Sequence, residues 1–191
     1  MPLTRDDVVD AGLGILDAYG LADLSMRRVA DRLGVKAGAL YWHVANKQTL
    51  LAAVGDEILG GPEGPATVPT DGTDVVTGLM EWARTLRKVL LSHRDGAELV
   101  SSTVSVGLGE VDPTGRLREF LRSHGLDERV VESASRALLH LVLGHVMDEQ
   151  TRRQLFELHV IGSFDPIEER DDFERGVAML VGGIAATRTS T

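Results

Sequence analysis

Five basic side chains fall within 23 residues of a chain that is otherwise acidic. Between positions 25 and 47 the charged residues are Arg27, Arg28, Arg32, Lys36 and Lys47, against one carboxylate, Asp31. This window carries +4, whereas the whole chain of 191 residues carries −9, so the remainder carries −13. Such a window is either the solvated face of a helix or a small contact surface for a polyanion such as DNA.

Few other residues have the types and spacing of a metal-binding or catalytic site. His145 pairs with Asp148 at i, i+3 or with Glu149 at i, i+4 on one helix face, a spacing that can ligate a divalent cation, but no third ligand from elsewhere in the chain is evident. Ser92 and His93 are adjacent and cannot form a Ser–His catalytic pair by adjacency. The chain has no cysteine, which excludes thiol nucleophiles and thiolate metal sites. We therefore expect no enzyme activity, no cofactor and no resident metal.

The hydrophobic pattern is helical along nearly the whole chain, and neither an alternating strand nor a hairpin signal is present. The spacing predicts helices over 8–19, 25–33, 36–42 and 46–58. Further helices are predicted over 74–92, 97–106 and 112–125, from 127 through 147, and over 171–187. Residues 155–161 fit either a helix or a strand, and 162–166 a loop. The fold class is therefore predicted to be all-α.

Only one stretch is typical of a linker. Residues 60–72 contain three of the six prolines and four glycines, so neither helix nor strand can continue through them. We predict a domain over 1–60, a linker over 61–74 and a second domain over 75–191. The uncharged runs 137–147 and 177–186 are shorter than the roughly 20 residues that span a bilayer. With no signal peptide evident, we expect a cytoplasmic protein without a membrane segment.

The second and third predicted helices, separated by Gly34 and Val35, have the pattern of a helix-turn-helix, a motif whose second helix enters the major groove of DNA. The Ala-x-x-Leu-Gly-Val run at 30–35 is common in helical corners, but two further runs follow it. They read Ala-Leu-Tyr-Trp-His-Val at 39–44 and Asn-Lys-Gln-Thr-Leu-Leu at 46–51. Together these elements closely resemble the DNA-binding domain of the TetR family of bacterial repressors.

The resemblance extends into the second half. Leu-Leu-Ser-His-Arg-Asp-Gly-Ala at 90–97, and His140 with Leu143, Gly144, Val146, Glu149 and Gln150, are similar to the regulatory domain of the tetracycline repressors within that family. The resemblance implies an N-terminal three-helix helix-turn-helix domain followed by a helical domain for effector binding and dimerisation. The implied function is a ligand-responsive repressor that acts as a homodimer on a palindromic operator in double-stranded DNA.

The same resemblance assigns ten residues to DNA. Four would contact phosphates and position the protein, namely Ser25, Met26, Tyr41 and Lys47. Six would face the groove, namely Arg27, Lys36, Ala37, Gly38, Ala39 and His43. Arg27 is the best candidate for a bidentate contact to guanine. His43 fits a groove contact or packing equally well, whereas Trp42 is expected to be a core aromatic at the end of the third helix.

The candidate effector-binding residues are chosen because they correspond to effector-site positions of the tetracycline repressors or lie on a helix face that would line the pocket. They are Trp82, Leu86, Val100, Thr103, Arg116, Leu117, His140 and Asp148. The resemblance implies polar ligands for tetracycline and its magnesium at positions 82 and 100, but this chain has Trp82 and Val100 there, so we expect a largely apolar effector instead. The 137–147 run and the Gly- and Ala-rich last helix are expected to form the dimer interface, or to pack within one chain. The alternative is a helical small-molecule or metal-binding protein without DNA-binding activity.

Overall fold

The computed structural model describes residues 2–60 and 73–187, so most of the predicted 61–74 linker lies outside the described residues. Within these ranges the regular elements are helical, which confirms the predicted fold class. The α-helices are α1 (Arg5–Tyr19), α2 (Met26–Leu33), α3 (Ala37–Leu40), α4 (Lys47–Gly60), α5 (Val75–Leu91), α6 (Gly96–Ser105), α7 (Gly115–Ser123), α8 (Glu128–Glu157) and α9 (Pro166–Ala186). None of these helices is long and apolar enough to cross a membrane.

The chain packs as two units. One contains Met1–Gly61 together with Leu90–Asp112, and the other contains Pro62–Val89 together with Pro113–Thr191. Helix α6 therefore belongs with the N-terminal helices, where it packs on α4. The functional division at residues 60 and 75 stays a prediction, and the packing units do not follow it.

Local capping builds the helix-turn-helix. The Ser25 side chain accepts a hydrogen bond from the Arg28 backbone N–H at 3.3 Å, which starts α2. Gly34 ends α2 in the left-handed conformation, with φ of 66°, where a side chain would be strained. Leu40 and Val44 then return to the core of the first unit and are almost completely buried. The turn and the burial of these two residues fix the position of α3.

Buried charge ties three helices of the second unit together. Glu149 on α8 is 2% exposed and accepts a hydrogen bond from Arg87 on α5 at 2.7 Å. Its other carboxylate oxygen lies 3.3 Å from Arg153. The Arg87 guanidinium also stacks on the ring of Phe173 in α9, 5.3 Å from its centre. At the surface, Arg84 and Glu174 form a bidentate pair, which lowers the pKa of the Glu174 carboxyl.

Helices α5 and α7 approach closely at Gly78. A Cβ built on Gly78 would lie 2.2 Å from the nearest carbon of the Phe120 ring, closer than any real contact. Phe120 is itself 5% exposed and packs against His124 with the two rings tilted and their centroids 4.3 Å apart. The ring therefore has little room to move away from a larger residue at position 78.

We expect Gly78→Ala to lower the free energy of unfolding by about 1–3 kcal/mol, because the added methyl overpacks the α5–α7 contact. Urea unfolding at a fixed protomer concentration measures this loss. Gly162→Ala is the matched control, since no atom lies within 4 Å of the Cβ it would add. That control should stay within about 0.5 kcal/mol of the parent chain. Equal effects of the two substitutions would show that Phe120 does not restrict position 78.

Several helix boundaries differ from those predicted. Helix α3 has one turn and ends at Leu40, not at residue 42. The Asp112–Pro113 pair does not open α7, which starts at Gly115. An equivalent pair, Asp165–Pro166, does open α9, five residues earlier than predicted, because the Asp165 side chain caps the Ile167 N–H at 2.8 Å. The ambiguous 155–161 segment continues α8 to Glu157 and then turns.

Candidate functional site

The predicted DNA-contacting residues form an accessible surface on the first unit, and none of the ten is buried. Arg27, Lys36, Ala37, Gly38, Tyr41 and Lys47 are exposed, and Ser25, Met26, Ala39 and His43 are half-buried. The Arg27 side chain is 90% exposed, and its guanidinium lies 3.9 Å from the Asp31 carboxylate, one turn along α2. An exposed pair at that distance is weak, so Arg27 can exchange Asp31 for a stronger partner.

Two of the five basic side chains between positions 25 and 47 make contacts within the first unit. Arg28 forms an ion pair with Asp23, and its guanidinium stacks on the ring of Tyr19 at 4.6 Å. Arg32 reaches across α1 to lie against Gly14, 2.7 Å from the position of a Cβ there. The solvated-face interpretation of the window therefore fits Arg28 and Arg32 in part, whereas Arg27, Lys36 and Lys47 extend outward on the same domain.

The prediction for Trp42 was wrong. Its indole is 89% exposed, because α3 ends at Leu40 and the following turn, residues 41–43, points Trp42 outward. Leu40 and Val44 fill the core positions instead. An exposed tryptophan beside Tyr41, itself 55% exposed, adds a large flat side chain to the candidate DNA surface. Helical periodicity places position 42 about 200° around the axis from the buried Leu40, on the face opposite the core.

His43 lies near the first turn of α1. The pKa of the Asp7 carboxyl there is lowered, mainly by the hydrogen bond from the Thr4 side chain and to a smaller degree by the imidazole of His43. The same Asp7 carboxylate accepts the Thr4 backbone N–H at 2.8 Å. The His43 side chain is half-buried, so the packing and the groove-contact interpretations both stay predictions.

The structure separates the predicted effector residues into three groups. Trp82, Leu86 and Leu117 are fully buried in the second unit. Val100 and Thr103 are buried in the first unit. The Thr103 hydroxyl donates to carbonyls of α6, at 3.2 Å to Leu99 and 3.1 Å to Val100. Arg116, His140 and Asp148 are exposed in the protomer, and the effector assignment of all eight stays a prediction.

One buried polar atom among these residues is unsatisfied. Trp82 is 0% exposed, and its indole Nε1–H has no hydrogen-bond partner within the described part of the chain. An unpaired buried donor costs about 1–3 kcal/mol, so such an atom needs an explanation. Trp82 is therefore the most informative member of the predicted effector set.

The helix face considered as a metal site, with His145, Asp148 and Glu149, has other surroundings in the structure. His145 packs edge-on against Phe173, with ring centroids 5.7 Å apart. Glu149 is held by Arg87 and Arg153, and Asp148 is exposed. Over residues 2–60 and 73–187, no group of three or more His, Cys, Asp or Glu side chains is placed to hold a metal ion. The motif residue Glu149 is thus part of the core.

Two family models match the chain. The model for bacterial regulatory proteins of the TetR family covers residues 8–54, and the model for the tetracycline repressor-like C-terminal domain covers residues 68–160. The first match contains α2, the turn at Gly34 and α3. The second contains the 90–97 and 140–150 runs on which the resemblance was based.

Individual relatives agree over nearly the full length. The class E tetracycline repressor of Escherichia coli is 34% identical over 166 residues, which is 86% of this chain and 77% of that protein. The crystal structure of Mycobacterium smegmatis BioQ is 41% identical, with a TM-score of 0.86 over 97% of this chain and 99% of that one. BioQ with its double-stranded DNA operator is also 41% identical, with a TM-score of 0.77 and the same coverage.

The family models match both the helix-turn-helix and the C-terminal half of the chain. The 41% identical BioQ structure also covers almost the entire chain. The chain belongs to the TetR family of DNA-binding transcriptional regulators, with a C-terminal domain of the tetracycline-repressor type.

Proposed function

We propose that this protein is a repressor that binds a palindromic operator as a homodimer and releases it when a small molecule binds. The observation that carries the proposal is the outward-facing surface of α2, α3 and the start of α4, from which Arg27, Lys36 and Lys47 extend. BioQ bound to its operator supports double-stranded DNA as the partner. A DNA-binding regulator acts where the DNA is, so we place it in the cytoplasm, with a regulatory and not an enzymatic role.

DNA recognition would use two kinds of contact: contacts to phosphates, which position the protein, and contacts to base edges, which read the sequence. The start of α2 at Ser25 and Met26 offers backbone amides to phosphates, and Tyr41 and Lys47 flank the groove. Arg27 offers the guanidinium geometry that matches O6 and N7 of guanine. Residues 36–39 are Lys-Ala-Gly-Ala, so α3 presents little side chain and can approach the bases closely. The operator should therefore be read mainly by Arg27 and Lys36 and by apolar contacts to thymine methyl groups.

We expect Arg27→Ala and Tyr41→Ala to have different signatures. Arg27→Ala should weaken operator binding by about 1–3 kcal/mol and relax the preference at one base pair of each half-site. Tyr41→Ala should weaken binding to operator and non-operator DNA alike, because phosphates carry no sequence information. Titration of both variants against the operator and a set of single-base substitutions separates the two. An unchanged base preference in Arg27→Ala would contradict its role in reading guanine.

Dimerisation is supported by an open groove along α8 and α9. The groove has a volume of about 540 Å³ and is lined mainly by small or apolar residues, among them Val130, Ala134, Ala137, Met179, Leu180 and Gly183. Met179 is 76% exposed in the protomer. A second copy related by a two-fold axis would cover this face with the same face. It would also hold two reading helices one DNA turn apart, about 34 Å or a multiple of it.

The effector would bind in the second domain and be largely apolar. Trp82, Leu86 and Leu117 supply buried apolar area, and the unsatisfied Nε1–H of Trp82 supplies a donor for one acceptor atom of the ligand. Such a ligand releases DNA only if it binds more tightly to the DNA-free state of the dimer than to the DNA-bound state. In this family the released state would hold the two reading helices at a spacing that no longer matches the half-sites.

Tetracycline with magnesium should not release the operator. The resemblance places polar ligands for the drug and its magnesium at positions 82 and 100. The Val100 side chain has no metal-ligating atom, and Trp82 offers only one N–H donor, so neither the drug nor its cation would be bound there. A fluorescence anisotropy titration of the protein–operator complex with tetracycline and Mg²⁺ measures release. Release in the micromolar range that disappears when Mg²⁺ is chelated would contradict this prediction.

A further inference from the structure

Asp31 is the one carboxylate between positions 25 and 47, and the stability of its helix does not explain it. It lies on α2 two residues before the helix ends at Leu33. A negative charge there meets the negative end of the helix dipole, which is unfavourable. Aspartate is also a weak helix former within a helix. The acidic side chain at position 31 therefore costs α2 some stability.

The side chain that Asp31 faces is Arg27, the predicted guanine-reading residue. The Asp31 carboxylate lies 3.9 Å from the Arg27 Nε, and the two side chains are 72% and 90% exposed. Over residues 2–60 and 73–187, Arg27 is the only side chain that pairs with this carboxylate. An exposed pair at this distance contributes little to folding. A role in DNA binding remains as the reason for the pair.

The geometry of the pair leaves the outer edge of Arg27 available. A guanidinium has five N–H groups, of which one is on Nε and four are on the two terminal nitrogens. Asp31 lies at the Nε edge, and within the described part of the chain the terminal nitrogens of Arg27 have no acceptor. These outer N–H groups match O6 and N7 of guanine. Asp31 can therefore stay beside Arg27 while Arg27 binds a base.

A phosphate would be affected differently from a guanine. The O6 and N7 atoms of guanine belong to a neutral base, whereas a phosphate carries a full negative charge. A carboxylate about 4 Å from the Arg27 guanidinium would repel a phosphate that approaches the same group, and would repel a neutral base edge much less. Phosphates are present at every site on DNA, so they are the main competitor of specific binding.

We propose that Asp31 is a specificity-determining residue, which weakens the binding of Arg27 to phosphates and spares its binding to guanine. Asp31 acts through Arg27 and is a positioning residue, with no contact to DNA required. A repulsive element that disfavours the wrong complex raises specificity even when it adds nothing to the right one. The inference rests on the proposed function, because it concerns how the same surface distinguishes the operator from other DNA.

The test is Asp31→Asn, which keeps the shape of the side chain and removes its charge. Binding to an operator duplex and to a scrambled duplex is titrated at several salt concentrations. The scrambled duplex should bind about threefold more tightly than it binds the parent. The slope of its log affinity against log salt should steepen by about 0.9, the value for one more neutralised phosphate. Operator affinity should change by less than about 1.5-fold, so the specificity ratio falls.

Two controls separate this effect from a general change of charge. Glu57→Gln removes an exposed carboxylate from α4 of the same unit and should leave both affinities and both salt slopes as in the parent. The double variant Arg27→Ala/Asp31→Asn is compared with Arg27→Ala alone. There the change at Asp31 should alter the two affinities by equal factors, because its partner is absent. Unfolding in urea should show no loss of stability in Asp31→Asn.

The outcomes distinguish the two proposals. A parent chain that binds both duplexes equally would overturn the proposed function and this inference with it. A selective parent, with Asp31→Asn tightening both duplexes equally or neither, would overturn only the role of Asp31. A falling specificity ratio that persists without Arg27 would mean that Asp31 contacts a base itself, as a carboxylate can with cytosine N4, and would also overturn it. Asp31→Ala, which favours the helix, is the second variant if Asp31→Asn does not fold.

Discussion

Replacing Glu149 with glutamine should lower the free energy of unfolding by about 3–5 kcal/mol. The carboxylate is 2% exposed and is paired with Arg87, whose side chain is only 16% exposed. Glutamine keeps the volume and one acceptor oxygen but removes the negative charge. The Arg87 guanidinium would then remain buried and uncompensated, with Phe173 as its aromatic neighbour. Denaturant unfolding at constant protomer concentration gives the loss directly.

Two further variants show whether the charge is responsible. Glu157→Gln removes an exposed carboxylate from the same helix and should cost less than about 0.5 kcal/mol. The double variant Arg87→Met/Glu149→Met removes both charges at similar volume and should recover most of the lost stability. A loss below about 1 kcal/mol in Glu149→Gln would mean that Arg87 finds another partner, and the ion pair would then not organise α5, α8 and α9.

Placing a carboxylate on the groove of α8 and α9 should separate the dimer. Met179→Glu changes a side chain that is 76% exposed in the protomer, so the fold should tolerate it. In the dimer the same carboxylate would be buried without a partner, at a cost of several kcal/mol. A monomer contacts one half-site at a time, so operator affinity should fall by at least about 100-fold, or ~2.7 kcal/mol.

Sedimentation at micromolar concentration and operator titration test the two parts of this prediction. Val76→Glu is the control, since it places the same charge on an exposed apolar position of α5 outside the groove. That variant should remain dimeric with unchanged affinity for the operator. A dimeric Met179→Glu, or a monomeric one that binds the operator as tightly as the parent, would contradict the assigned interface.

Local signals in the sequence were sufficient for the DNA-binding half. Ser25 caps α2, Gly34 ends it and Asn46 caps α4, at the ends of the helices predicted over 25–33 and 46–58. Such signals act within three or four residues, so a linear pattern contains them completely. The family resemblance rested in part on the same residues, since the runs at 30–35 and 46–51 contain Gly34 and Asn46.

Boundaries that depend on tertiary packing could not be predicted in this way. The Asp-Pro pairs at 112 and 165 look alike, yet only the second begins a helix, because the first belongs to the loop whose Val111 amide is held by Asp56. The deciding contact there is made by Asp56, 55 residues away from Val111 and outside any local pattern. Trp42 differs, since the residues that close the core beside it, Leu40 and Val44, are its near neighbours in sequence.

Long-range charge pairing was also beyond the sequence. Arg87 and Glu149 are 62 residues apart, and each looks like a surface residue of an amphipathic helix until α5 and α8 are brought together. Asp56 likewise lies on a helix with no recognisable motif around it. The unpaired Trp82 Nε1 could not be foreseen either, since it depends on what surrounds the indole and not on its place in α5.

We expect this chain to recognise a specific operator. The most direct test is to titrate the protein against DNA from immediately upstream of its own gene and against a scrambled duplex of equal length, at two salt concentrations. We expect tight binding to the first duplex only, with affinity falling as salt rises because the cationic Arg27, Lys36 and Lys47 would displace counterions from the DNA. Equal, weak binding to both duplexes at both salt concentrations would contradict it.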